Sequence, residues 1–329
     1  SAPVASADKM NAVLSLEDKI ADDTVWCGTF NLIWNDLKNE LAKKDIEFTP
    51  QLDVVRNLNK GTFNTECLSE DSYYKVYGKP TIELKKQIEK EIKRKFNETS
   101  DILDDFNWNE SGDKDYFLYS MLKKEFEFPK VFDRLEKGKF KDWENVKYFG
   151  IKKKTSEKVR EQVKVLYYNS KEDFAIKLLT KSNDEVIISR GNKANTFGEI
   201  YAEIKENNEN FKGSKNIEED EIVKIPNIDF KLKKEFNEIE AKPFLFASGE
   251  EYVIEKAVQT IEFSLDEKGG RVKSEAGMVN KTTALLPDLE PREFLVNDTF
   301  CIFLKEKDKE LPYFAAKISD ITQVQKLEN

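Results

Sequence analysis

Three cysteines, Cys27, Cys67 and Cys301, are the soft nucleophiles of this sequence, and none has the partner that would activate it. The 329-residue chain contains no histidine. A Ser-His-Asp or Cys-His arrangement therefore cannot form, and no imidazole can serve as general base or metal ligand. The cysteines lie far apart with no CxxC spacing, so a zinc site would be short of ligands. They fit either one disulfide plus a free thiol or three buried thiols. Cys27, beside Trp26, reads as core, and paired acids such as Asp104-Asp105 read as solvated surface. No catalytic residue, metal or cofactor is expected, and the chain is not expected to be an enzyme.

Composition narrows the partners. Lys and Arg total 54 against 63 Asp and Glu, for a net charge of -9. A phosphate backbone needs clustered positive charge, so nucleic acid is not an expected partner. Lysine stretches do occur at Lys85 to Lys95 and Lys152 to Lys154, but glutamates interleave the first, as on a solvated helix face. No apolar run reaches the ~20 residues a membrane span requires. The small-residue start, Ser1 to Ala7, fits a chain whose export signal has been removed, and a secreted or cell-surface location is expected. Asn97, Asn109, Asn280 and Asn297 open N-x-Ser/Thr triplets, about as chance provides in so Asn-rich a chain.

The elements that must position any site follow from periodicity. Phe30, Ile33, Trp34, Leu37 and Leu41 give Trp26 to Leu41 one apolar helical face. Leu84, Ile88, Ile92 and Phe96 predict a second helix, and Phe197 to Ile204 a short one. Residues 50–80, broken by Gly61, Gly78 and Pro80, have no clear pattern. Tyr116 to Leu122 is a near-continuous apolar run of strand length, as for a strand covered on both faces. Val163 to Tyr168, Phe174 to Leu179 and Val186 to Ser189 predict three consecutive strands. Further strands are expected at Ile222 to Phe230, Thr260 to Leu265, Phe300 to Leu304 and Pro312 to Ile318. No Pro- or Gly-rich linker divides the chain, so one α+β domain over 1–329 is expected.

Between Leu265 and Phe300 lies a loop too long to be a mere connection, and loops of that length are usually functional. It opens with Asp266-Glu267-Lys268-Gly269-Gly270. From there every second residue is small: Gly270, Val272, Ser274 and Ala276. The intervening set is Arg271, Lys273, Glu275 and Gly277, mostly charged. That is a period-two strand pattern whose compact face is too small to hold the segment down alone. The segment reads as an optional strand, exposed in one state and fitted into a sheet in another.

Val258 to Gly269 resembles, without a gap, the strand and hinge that precede the reactive loop of serpins. Phe294 to Leu304 is similar to the segment after that loop, and Tyr313 to Ile318 to the terminal strand. Fainter echoes are Ile222 to Ile228, Tyr116 to Phe132 and Trp26 to Leu41. The resemblance implies a serpin-like α+β fold, with a large, mostly antiparallel central sheet and further sheets and helices around it. It also implies an exposed reactive-loop region at about 267–293. Glu267, Lys268, Gly269, Gly270, Arg271, Val272, Ser274 and Ala276 would form the hinge. The cleaved bond would fall among Lys281, Thr282, Thr283, Ala284, Leu285 and Leu286. The implied function is inhibition, as a monomer, of a serine or cysteine protease, which is trapped when the cut loop inserts into the central sheet. The alternative is a non-inhibitory serpin-fold protein that binds a partner or small ligand. Departures from the pattern are local. Phe126 replaces a tryptophan, Gln259 and Leu118 replace a histidine and an asparagine beneath the sheet's opening, and the hinge lacks the usual threonine and alanines. A buried small-residue helix, expected after the first helix, is not visible.

Overall fold

The computed structural model describes residues 9–99, 101–108, 112–268 and 290–328. Strands β1 (Asn11–Ala12) and β2 (Thr24–Cys27) lead into helix α1 (Thr29–Asp36). Here the sequence expectation needs correcting twice. Val25 and Trp26 pair with Ala316 and Ala315 at the far end of the chain, which keeps the backbone extended up to Cys27. From Thr29 to Trp34 every residue is then buried, so α1 is an interior helix rather than one with a single apolar face. Residues 50–80 resolve into helix α2 (Asp53–Asn59) and strand β3 (Tyr73–Gly78), joined by a loop.

Helix α3 (Ile82–Phe96) follows the predicted spacing, burying Leu84, Ile88 and Ile92. The Thr81 hydroxyl caps its start by accepting from Leu84 N, and Asn97, at φ 53°, ends it. Strand β4 (Asp115–Glu125) comes next, then the short strands β5 (Asp133–Arg134), β6 (Gly138–Phe140), β7 (Trp143–Val146) and β8 (Tyr148–Ile151). One turn of helix, α4 (Glu157–Arg160), precedes an antiparallel meander of β9 (Val163–Ser170), β10 (Asp173–Leu179) and β11 (Asp184–Arg190). These are the three consecutive strands that alternation predicted. Helix α5 (Phe197–Asn210) runs longer than its apolar pattern.

The strand expected over Ile222 to Phe230 is two strands, β12 (Ile222–Pro226) and β13 (Ile228–Glu235), in different sheets. Pro226 has no N–H to continue a ladder, and Asn227 N turns aside to donate to Lys147 O. Strands β14 (Pro243–Leu245) and β15 (Glu251–Leu265) follow, and Thr260 to Leu265 is only the end of the latter. Strands β16 (Glu293–Leu295), β17 (Phe300–Glu306) and β18 (Phe314–Ile318) complete the fold.

The architecture is α+β, with three main sheets. The central one has the order β13-β15-β4-β3, with β14 also on β15; a seven-stranded sheet has the order β1-β2-β18-β17-β11-β10-β9; a third is β16-β12-β8-β5. In the third, Gly150 sits opposite Lys224 at φ 149°, and a Cβ there would lie 2.0 Å from Val223 O. Only glycine allows that approach. One apolar core joins the sheets: Ile261, Phe263 and Leu265 of β15 share it with Phe300 to Leu304 and Phe314. Phe263 and Phe314 meet edge to face at 4.9 Å. No helix among the described residues is long and apolar enough to cross a membrane.

Candidate functional site: a parallel strand pair and its hinge

In the central sheet, β13, β14 and β3 each run antiparallel to their neighbours, whereas β15 and β4 pair in parallel. Their ladder runs from Val253 opposite Asp115 to Ser264 opposite Glu125, with a bulge between Ile254 and Lys256. Strand β4 is buried from Phe117 to Leu122, as its near-continuous apolar run required. Its alternate residues serve two faces. Phe117, Tyr119 and Met121 pack with Leu84, Ile88 and Ile92 of α3, while Leu118 enters the apolar cluster around α1.

Polar groups lie buried along the pair. On the α1 side, Gln259 Nε2 donates to Cys27 O (3.2 Å) and Thr29 Oγ1 (3.0 Å), and it lies 3.4 Å from Ser120 Oγ. Thr29 in turn donates to Ser120 Oγ at 3.2 Å. Sequence reasoning placed Leu118 with Gln259 in this role. The register instead sets Leu118 opposite Ala257 and Ser120 opposite Gln259. A small hydroxyl thus provides the hydrogen bond that leucine cannot. On the α3 side, Tyr119 and Thr260 hydroxyls meet at 3.2 Å. The Cys27 thiol, beneath this group, is pushed up to about 11 by burial, which outweighs its bonds to Thr29. Burial raises Cys301 to about 12. All three thiols are free and buried. Among the described residues no group of His, Cys, Asp and Glu could hold a metal ion.

At the end of β15 the chain reaches Glu267 and Lys268, the two described residues of the expected hinge. Both carbonyls are taken by the segment after β4: Phe132 N donates to Glu267 O (3.0 Å) and Phe128 N to Lys268 O (3.4 Å). Glu267 is 7% exposed. Its carboxylate accepts from Arg134 Nε on β5 at 2.5 Å. Phe126, where the resemblance expects tryptophan, packs edge to face on Phe263 at 6.1 Å. Gly269, Gly270, Arg271, Val272, Ser274 and Ala276 lie outside the described residues, as do Lys281, Thr282, Thr283, Ala284, Leu285 and Leu286. Beside β16, Arg292 pairs with the buried Glu221. Arg134, Ser120 and Thr29 were not foreseen. Arg134 and Glu267 are 133 positions apart, a pairing that no local pattern announces.

No protein-family model matches this chain, and no curated protein matches it. Solved structures similar to it include maspin, 13% identical over 73% of this chain and 66% of maspin, with a TM-score of 0.47. Thyroxine-binding globulin in complex with thyroxine is 13% identical over 72% of this chain and 64% of its own, with a TM-score of 0.47. Serpin48, a highly specific serpin of the insect Tenebrio molitor, is 14% identical over 71% and 64%, with a TM-score of 0.44. The match thus spans just under two-thirds of each of these chains.

Proposed function

We propose that residues 1–329 form one serpin-like domain, a secreted or cell-surface inhibitor of serine or cysteine proteases whose cut loop enters the central sheet between β15 and β4. The observation that carries this reading is that, among the described residues, one parallel pair lies in an otherwise antiparallel sheet. The loop leaves from the far end of β15, so a segment folding back beside β15 runs antiparallel to it. Because β4 is parallel to β15, the same segment is antiparallel to β4 as well. Inserting it replaces one parallel ladder with two antiparallel ones, and antiparallel pairing is slightly the more stable per residue. An inserted run of about ten residues gains ~0.5–1.5 kcal/mol per hydrogen bond. With side-chain burial the gain is on the order of 10 kcal/mol, comparable to the whole stability of a protease domain.

In this scheme Glu267 and Lys268 are the pivot, Arg134 restrains it, and Gly270, Val272, Ser274 and Ala276 face inward. The test is incubation with a panel of serine and cysteine proteases, scored by SDS-stable complexes. The parent should trap at least one enzyme, whereas Val272→Arg, which puts a charge on the inward face, should be cut without trapping it. Equal trapping by both proteins would show the insertion register to be wrong.

A second reading, a non-inhibitory protein that binds a partner or small ligand, has its own support. The ladder from Val253 to Ser264 is closed along its length, and α3 packs across it through Leu84, Ile88 and Ile92. Absence of complexes with every protease, together with an unaltered melting midpoint after loop cleavage, would favour it.

A further inference from the structure

The lower end of β15 is completed by a side chain. Strand β13 ends at Glu235, opposite Val258. Just below, the Ala257 carbonyl accepts from Phe236 N at 2.8 Å, but its N–H has no strand to meet. The Glu240 carboxyl group takes that N–H at 2.8 Å. Ala241 N then donates to Ile254 O at 2.9 Å, and β14 resumes the ladder at Val253. Glu240 therefore bridges two partner strands, one carboxyl oxygen standing in for a strand carbonyl. On its other edge β15 bulges against β4 at the same level, between Ile254 and Lys256.

Charged groups face this point from three strands. From β13 comes Glu235, whose carboxyl group acts on that of Glu240. From β15 come Lys256, whose Nζ lies 3.0 Å from Glu235 Oε1, and Glu255, which buries Oε2 with no hydrogen-bond partner. From β4 comes Asp115, which acts on Glu255. Towards α1 the surroundings are apolar: Phe236 packs on Phe30 at 4.9 Å, with Ile239 in the same cluster. A hydrogen bond between two carboxyl groups needs a proton on one of them.

We propose that Glu240 is a proton-operated clamp on the lower end of the parallel pair. Protonated, the Glu240–Glu235 pair holds Ala257 and the start of β15 in place; ionised, the two carboxylates repel and that end loosens. This device stands apart from the protease-trap reading and does not depend on it.

Burial, and after it the Glu235 bond, raises Glu240 from 4.5 to about 8 in the folded protein, against the opposing Ala257 and Lys256 contacts. A raised folded value means that the closed form holds a proton which the opened form releases. Stability of the clamp is therefore fully present below 4.5 and is lost as pH rises towards 8.

The test is amide exchange at Ala257 between pH 5 and 8 in the parent, Glu240→Gln and Glu235→Gln. Dividing parent by Glu240→Gln protection at each pH removes the intrinsic base catalysis of exchange. That ratio should fall with pH, by at most about tenfold per unit. Glu240→Gln, which keeps an acceptor for Ala257 but cannot ionise, should lose this dependence, and Glu235→Gln should move it to lower pH. Parallel protection profiles for parent and Glu240→Gln would overturn the proposal. If neither variant folds, carboxyl-carbon NMR of the parent decides. A Glu240 midpoint of about 8 is expected, and one in the ordinary carboxylate range would overturn it.

Discussion

Two strand pairs of this protein look alike in sequence and differ in build. In β17 and β18, the facing residues Cys301, Ile302, Phe303 and Leu304 meet Lys317, Ala316, Ala315 and Phe314 across an antiparallel ladder. Most of them are fully buried, and strands β2 and β11 close both flanks. In β15 and β4 the ladder is parallel, and its interior holds Gln259, Ser120 and Thr260, all nearly inaccessible and all hydrogen bonded. Apolar contacts in the first pair have no low-cost alternative to staying together. Under the proposed insertion, the polar groups of the second could exchange partners with the entering backbone, so separating those strands would forfeit less. The comparison turns on apolar side chains in one pair and hydrogen-bonded polar ones in the other.

Cleaving the loop between Lys281 and Leu286 is the strongest way to break this comparison. If the freed segment enters between β15 and β4, the melting midpoint should rise by tens of degrees, since ~10 kcal/mol at a few degrees per kcal/mol gives that scale. An unchanged or lower midpoint, measured by calorimetry on cut and uncut protein, would make the two pairs equivalent. Truncating Ile302, fully buried in β17, should cost ~2–5 kcal/mol. Because β17 lies in a different sheet from β15 and β4, Ile302→Ala should lower the midpoints of both forms, as denaturant unfolding can check.

Gln259→Leu sharpens the same contrast at a smaller scale. It removes the side-chain donor from the Cys27 carbonyl and leaves the Thr29 and Ser120 hydroxyls only each other and the Cys27 thiol, at a cost of ~1–3 kcal/mol in the uncut protein. Chemical denaturation of Gln259→Leu beside the parent measures it; no loss would mean that these groups find other partners. Arg134→Gln should change stability least, since Arg134 is largely exposed. Its expected effect is on rate: with Glu267 released, a cut loop should insert faster, as stopped-flow fluorescence can follow. An unaltered rate would remove Arg134 from the hinge.

What the sequence made legible was whatever depends on near neighbours. Alternation located β9, β10 and β11, and the four-residue spacing of Leu84, Ile88 and Ile92 located α3. The glycines and small residues after Lys268 marked the loop. Long-range pairing stayed hidden. Trp26 reads as the first residue of a helix until Ala315 is seen beside it. Leu118 appeared to be Gln259's neighbour because the parallel register, shifted by the bulge near Glu255, is set by the sheet and not by either strand alone. Arg134 reaches Glu267 only because the chain after β4 folds over the end of β15.

The buried thiols have a practical consequence. Cys27 lies beneath the parallel pair, its carbonyl bonded to Gln259, whereas Cys301 lies within β17. Both are held protonated by burial and are shielded from reagents while the fold is closed. Each is therefore a native reporter for a different kind of opening. Alkylation of Cys27 ahead of Cys301 would time the parting of β15 from β4, and simultaneous modification would time the collapse of the whole fold.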